Sequence, residues 1–329
     1  VAIFSAISGS STACAATFGT VAIPELERRG FERRMIYGAL AAGATLDIMI
    51  PPSVTMIIYG AMTEQSVGRL FLAGLLPGIV LTLLFCAYII GVAIVKPEWC
   101  PRAESYTWRE RLYSIKDLVP ASILIVIVLG GIYLGWFTPT EAAAIGAFAA
   151  MLLALAHRQL TWRVFEDALL DAARTTSMIM IIVVSALFAG HVITKVGLPL
   201  AIGEAIRTAG LSPWAVFVII CLIYLVLGCL IDSVSMIVMT LPVVYPIMSD
   251  LGFDLIWFGI VLVALVELSL ITPPVGLNLY VIHGLTKGRP ISDVFLGSAP
   301  YVGLLIIGIG LLVLWPDLAL WLPRVLMSR

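Results

Sequence analysis

Residues 41–60 read AAGATLDIMIPPSVTMIIYG, and residues 267–284 read ELSLITPPVGLNLYVIHG. Each is an apolar run broken by adjacent prolines. Proline removes a backbone donor and clashes with the preceding turn, so Ile-Pro-Pro-Ser (50–53) and Thr-Pro-Pro-Val-Gly (272–276) each interrupt a helix. Non-helical backbone at membrane depth is tolerated only where protein or a hydrated cavity surrounds it. The freed carbonyls, with hydroxyls and the ends of half-helix dipoles, make the kind of oxygen cage a dehydrated sodium ion needs.

The two runs belong to a repeat. Displacing the chain by 222 positions superimposes Ser11 on Ser233, Pro24 on Pro246, Gly30 on Gly252, Phe31 on Phe253 and Pro51-Pro52 on Pro273-Pro274. Ahead of each break lies an apolar run with small or polar residues at its middle, SGSST (8–12) and LIDSVS (230–235), which we read as hairpins that enter the membrane and turn back. Each copy is thus a hairpin, a short loop and a broken helix.

Composition agrees with a membrane setting. Of 329 residues 61% are hydrophobic and 12% charged, against roughly 45–50% and 25% in soluble domains. Apolar stretches recur at 70–95, 119–137, 142–156, 177–193, 214–231 and 301–315, near the ~20 residues a bilayer requires. The five cysteines show neither CxxC spacing nor a neighbouring histidine, which argues against disulfide and transition-metal roles. A formal net charge of −1 gives no basis for nucleic-acid binding. Because the chain opens inside an apolar segment without a basic n-region, we expect it to lack its natural N-terminus.

Fourteen of the nineteen basic residues fall in the segments 24–35, 96–117, 158–174 and 287–289, which the positive-inside rule places in the cytoplasm. The loop of the first repeat carries Arg28, Arg29, Arg33 and Arg34; that of the second carries Asp250 and Asp254. The two copies therefore face opposite sides. The expected fold is an all-α polytopic membrane protein with inverted-topology repeats, two re-entrant helical hairpins and two Pro-Pro-broken helices, and its binding site lies between the repeats near the midplane. Residues 1–69 and 195–286 form the repeats, 70–194 scaffold and connecting helices with cytoplasmic amphipathic segments, and 287–329 a last membrane helix and tail.

The tips supply the rest of the cation cage. Gly9 permits a tight turn while Ser10, Ser11 and Thr12 offer hydroxyls; Asp232, Ser233 and Ser235 do the same with a charge added. A carboxylate at that depth costs a few kcal/mol and is usually paired, buried in protein or functional. Asp232 is read as a cation ligand, and also as a helix N-cap, a role compatible with ligation. Asp47 and Glu267 lie four and six residues before their breaks, near enough to feel a bound ion; otherwise a proton or a hydrogen bond from a neighbouring helix is expected to neutralise each. Glu141 reads as a helix N-terminal acid, and His191 and His283 as packing histidines.

Six runs together resemble the large membrane subunit of TRAP (tripartite ATP-independent periplasmic) transporters: SGSSTACAATFGTVAIPELERRGF (8–31), AAGATLDIMIPPSVTMIIYG (41–60), SVGRLFLAGLLPG (66–78), GWFTPTEAAAIGAF (135–148), GCLIDSVSMIVMTLPVVYPI (228–247) and ITPPVGLNLYVIHG (271–284). The resemblance implies a bacterial inner-membrane, multi-pass transporter subunit, not an enzyme, of the elevator type found in the ion-transporter superfamily. It implies sodium-coupled uptake of a small organic anion, such as a dicarboxylate or sugar acid. It implies two partners, a four-helix small membrane subunit and a periplasmic substrate-binding protein, and no cofactor besides sodium. Carried onto this chain, the sodium sites involve Gly9, Ser10, Ser11, Thr12, Pro51, Pro52 and Ser53, and Asp232, Ser233, Ser235, Thr272, Pro273, Pro274 and Gly276. Lys195, Ser11 and Asn278 would meet the substrate. Three departures stand out. The family's first scaffold helices are absent, so this piece alone should not transport. Asp47 stands where many members have glycine, and Lys195 where many have arginine, which loses the bidentate fork for a carboxylate.

Three rival readings compete. An intramembrane aspartyl protease would use Asp47 and Asp232, but no GxGD motif surrounds either, and the repeat sets Ser269 opposite Asp47. A binding-protein-independent sodium/anion symporter of related fold would share the ion sites and differ in partners. A purely structural membrane subunit would bind no ion.

Overall fold

A computed structural model of the chain describes residues 10–101, 107, 119–286 and 288–327. Gly9, most of the basic segment at 96–117 and Lys287 lie outside the described residues. The chain divides into two units, Val1–Ala103 with Gly190–Arg329, and Glu104–Ala189. All regular elements among the described residues are helices. The first unit holds α1 (Ser11–Arg28), α2 (Arg33–Met49), α3 (Val54–Thr63) and α4 (Val67–Val95). The second holds α5 (Val119–Tyr133), α6 (Pro139–Ala156) and most of α7 (Trp162–Lys195). The chain then adds α8 (Leu198–Thr208), α9 (Pro213–Gly228), α10 (Ser233–Asp250), α11 (Leu255–Leu270), α12 (Leu277–Leu285), α13 (Ile291–Leu314) and α14 (Asp317–Leu326) to the first.

Among the described residues, six helical stretches are long and apolar enough to cross a membrane: α2 with α3, α4, α6, α7, α10 and α13. Two start earlier than their apolar runs. The helix α7 begins at Trp162, so much of the basic segment 158–174 is helical. Its start is fixed by the Thr161 hydroxyl, which accepts from the Val164 amide (3.2 Å), and the stretch FEDALLDAAR (165–174) is made mostly of good helix formers. Likewise α13 begins at Ile291, ten residues ahead of the run starting at Tyr301.

The repeat is one of local structure. Helices α1 and α10 start and end 222 residues apart, as do the starts of α2 and α11. The peptides Pro51-Pro52 and Pro273-Pro274 are both cis, and Gly30 and Gly252 both take positive φ, +81° and +79°. Those two glycines close the loops after α1 and α10 in a conformation that a side chain would strain.

At the centre, α11 is buried at every position from Trp257 to Leu270. A helix apolar on all sides belongs inside the protein. Against it runs α2, where Asp47 and its neighbours from Leu40 to Met49 are buried. The two broken helices are antiparallel. The Tyr59 hydroxyl, near the end of the first, donates to the Leu255 carbonyl at the start of the second (2.6 Å), while Asn278, past the second break, donates to the Ala41 carbonyl ahead of the first (3.2 Å).

In lipid the hydrophobic effect does not hold helices together; close packing at small residues and hydrogen bonds do. Helix α13 crosses α2 where Gly38 and Gly297 meet, so close that a Cβ on either would run into the other helix's backbone. The Trp257 indole donates to the Leu312 carbonyl (2.8 Å), which ties α11 to α13. Helix α4 covers the first break, with Gly74 facing the Met49 carbonyl at 2.7 Å from an ideal Cβ. In the second unit, α5 and α6 pack with Gly146 against Val128. The ion pairs near the first loop, Glu25 with Arg28 and Arg29 and Asp293 with Arg34, are largely exposed and add little stability.

Candidate functional site

Three expected ion-site residues are helix N-caps. Ser10 caps α1 and accepts from the Ala13 amide (3.4 Å). Asp232, 222 residues on, caps α10 and accepts from the Ser235 amide (3.0 Å). Ser53 caps α3 directly after the first break and accepts from Met56 (3.4 Å). Each cap fills an orphan donor of the helix N-terminus. A carboxylate or hydroxyl oxygen that accepts one such bond still has lone pairs for a cation.

The tips meet the second break. From Ser11, the hydroxyl donates to Asn278 Oδ1 (3.4 Å), and Asn278 in turn donates to Ala41. Helix α1, the restart of the second broken helix and the body of the first are thereby joined through one fully buried amide. On the other side, the Cys229 thiol points at the Pro273 carbonyl (3.7 Å). Beside that carbonyl, Pro274 accepts from the Tyr280 hydroxyl (3.3 Å), and the Thr272 hydroxyl donates back to Leu268 (2.6 Å). Gly276 takes φ +52°, and a Cβ there would lie 3.1 Å from the Thr272 carbonyl and 2.8 Å from Leu279, so only glycine fits the restart. At the first break Ile50 leaves the helix in extended conformation, Pro51 and Ser53 are buried and Pro52 is half-buried.

Other residues sit apart. Lys195 ends α7 exposed, and the Ser11–Asn278 link does not include it. Thr12 lies within 3.3 Å of Ser10, hydroxyl to hydroxyl. Ser233 and Ser235 are half-buried in the first turn of α10. His191 is exposed. Glu141 completes a capping box with Thr138, its carboxylate accepting from the Thr138 amide (2.8 Å).

One arrangement escaped the sequence. Asp47 and Glu267 are both buried, at 1% and 0% exposure, on the two broken helices α2 and α11, which pack against each other. No carboxylate oxygen of the pair makes a hydrogen bond among the described residues, although the backbone of Ile48 lies near Asp47 and that of Met49 near Glu267. Read separately, each acid is only a neighbour of its own break. Antiparallel register brings them together, since residue 59 meets 255 and residue 41 meets 278.

The profile of the family described as "Tripartite ATP-independent periplasmic transporter, DctM component" matches residues 1–318. The chain is 37% identical to the C4-dicarboxylate TRAP transporter large permease protein DctM of Pseudomonas aeruginosa, over 98% of this chain and 75% of that protein. It is 35% identical to the protein of the same name from Vibrio cholerae (99% and 76%) and 31% identical to the 2,3-diketo-L-gulonate TRAP transporter large permease protein YiaN of Escherichia coli (96% and 74%). These likenesses and the six apolar helical stretches make it an integral membrane protein. The six motif runs, the repeated broken helices and the profile match along nearly the whole length agree: the chain belongs to the DctM-component family of tripartite ATP-independent periplasmic transporters.

Proposed function

We propose that this chain carries a small organic anion of the carboxylate class across the bacterial inner membrane, coupled to sodium and supplied by a periplasmic binding protein. The observation that carries this reading is the matched pair of caps, Ser10 and Asp232, each at the head of the helix that follows a hairpin tip in a family of transporter permeases. Their oxygens, with the carbonyls around Pro51-Pro52 and Pro273-Pro274, are the ligands assigned to sodium. The hairpins are re-entrant, and the repeats (1–69 and 195–286) move against the scaffold and a small membrane subunit as an elevator. Two relatives named for C4-dicarboxylates favour a dicarboxylate. Its carboxylates are assigned to Ser11, Asn278 and, more remotely, Lys195.

With the binding protein and small subunit reconstituted alongside the intact permease, uptake of a C4-dicarboxylate is expected under an inward sodium gradient and not under an equal potassium gradient. Equal uptake under both would overturn sodium coupling. Orientation has its own test. Single cysteines at Arg29 and Asp250, probed in intact cells with an impermeant thiol reagent, should label at 250 alone. Labelling of both from outside would remove the inverted arrangement.

A further inference from the structure

Asp47 and Glu267 are the only carboxylates among the described residues that are buried. Two ionised carboxylates facing the same apolar helix crossing are strongly disfavoured on electrostatic grounds. Most titratable groups of the helices around them are engaged elsewhere; the buried Tyr301 hydroxyl of α13 has no hydrogen-bond partner among the described residues. Glu25 and Glu27 pair with Arg28, Arg29 and Arg33, Arg34 with Asp293, and Arg324 with Asp317, while Arg69 reaches the Met327 carbonyl. Asp254 caps α11, Asp250 is exposed and His283 lies beside Thr286. The hydroxyls of Tyr37, Tyr59, Tyr224 and Tyr245 go to Glu27, Leu255, Thr240 and Thr63.

The repeat shows that the fold does not require acids here. Displacement by 222 takes Asp47 to Ser269 and Thr45 to Glu267. Exchanging the copies therefore turns the acid pair into the pair Thr45 and Ser269. Those two are buried as well, and each hydroxyl donates to a carbonyl of its own helix, Ala42 (2.8 Å) and Val266 (2.7 Å). The equivalent crossing is thus filled by neutral, self-satisfied side chains.

We propose that Asp47 and Glu267 form a proton-binding site between the two broken helices, which keeps them packed while occupied and loosens them when it empties. This goes beyond sodium-coupled uptake and does not rest on it. Emptying the site sets two like charges against the same helix crossing, so on this proposal stability falls as pH rises.

The intact transporter complex, purified in potassium salt, is expected to lose at least about 5 °C of melting temperature between about pH 6 and about pH 9, and the Asp47→Asn, Glu267→Gln double variant to stay nearly level. Equal slopes for parent and variant would overturn the site. So would sodium restoring the parent at high pH without affecting the variant, since the pair would then hold sodium. Should the double variant fail to fold, the infrared spectrum of the parent at neutral pH decides. A protonated-carboxyl stretch, which exposed carboxylates cannot supply, is expected, and its absence overturns the proposal.

Discussion

Asp232→Asn is expected to raise the sodium concentration for half-maximal uptake by about tenfold or more, equivalent to roughly 1.4 kcal/mol of lost cation binding, with melting temperature in potassium almost unchanged. The reasoning separates two roles of one side chain. As a cap, Asp232 accepts from the Ser235 amide, and asparagine caps about as well as aspartate. As a ligand it supplies a formal charge that offsets a cation stripped of water, and the amide oxygen of asparagine does not. Asp232→Ala is the contrasting variant. It removes both roles and should also cost about 1 kcal/mol of stability. If Asp232→Asn leaves the sodium dependence where it was, the residue is a cap only.

Gly297→Val should leave no recoverable folded protein, the largest structural effect expected of any single change here. A Cβ at 297 meets the Arg34 carbonyl, and one at 38 meets the backbone of Gly297. Overpacking against side chains costs typically ~1–3 kcal/mol, and a neighbouring side chain can turn away. The backbone of a central helix cannot, because α2 is held on its other flanks by α1, α4 and α11. Gly303→Val, in the same helix α13 but with open space around its Cβ position, is the control and should behave like the parent. Monodisperse Gly297→Val protein with an unshifted melting curve would show that α2 and α13 do not touch at that point.

Most of this architecture is legible because the chain states it twice. Proline at 51, 52, 273 and 274 and glycine at 30 and 252 act through local backbone sterics, and each appears at its place in both copies. Glu141 followed from the same kind of short-range rule, as the fourth residue of a capping box. What stayed hidden depends on register between distant helices. Nothing near Gly38 announces Gly297, and nothing near Asp47 announces Glu267, because in an apolar chain the pattern that would orient each helix face is absent. The link from Ser11 through Asn278 to Ala41 was hidden for the same reason, although its first two members were singled out. In α7 the charges of the first turns hid the continuity of a helix whose residues are good helix formers.

A protein with two identical halves would have two mirror-related states of equal free energy, each reached from the other by exchanging the conformations of the halves. Here the exchange sends Asp47 and Glu267 to Ser269 and Thr45. The two crossings differ in chemistry, acids at one and hydroxyls at the other, so this pair is one of the places where the copies are not equivalent. In any exchange of conformation between the copies, the proton site between Asp47 and Glu267 would have no counterpart at Thr45 and Ser269, which makes this crossing a source of asymmetry that pH can adjust.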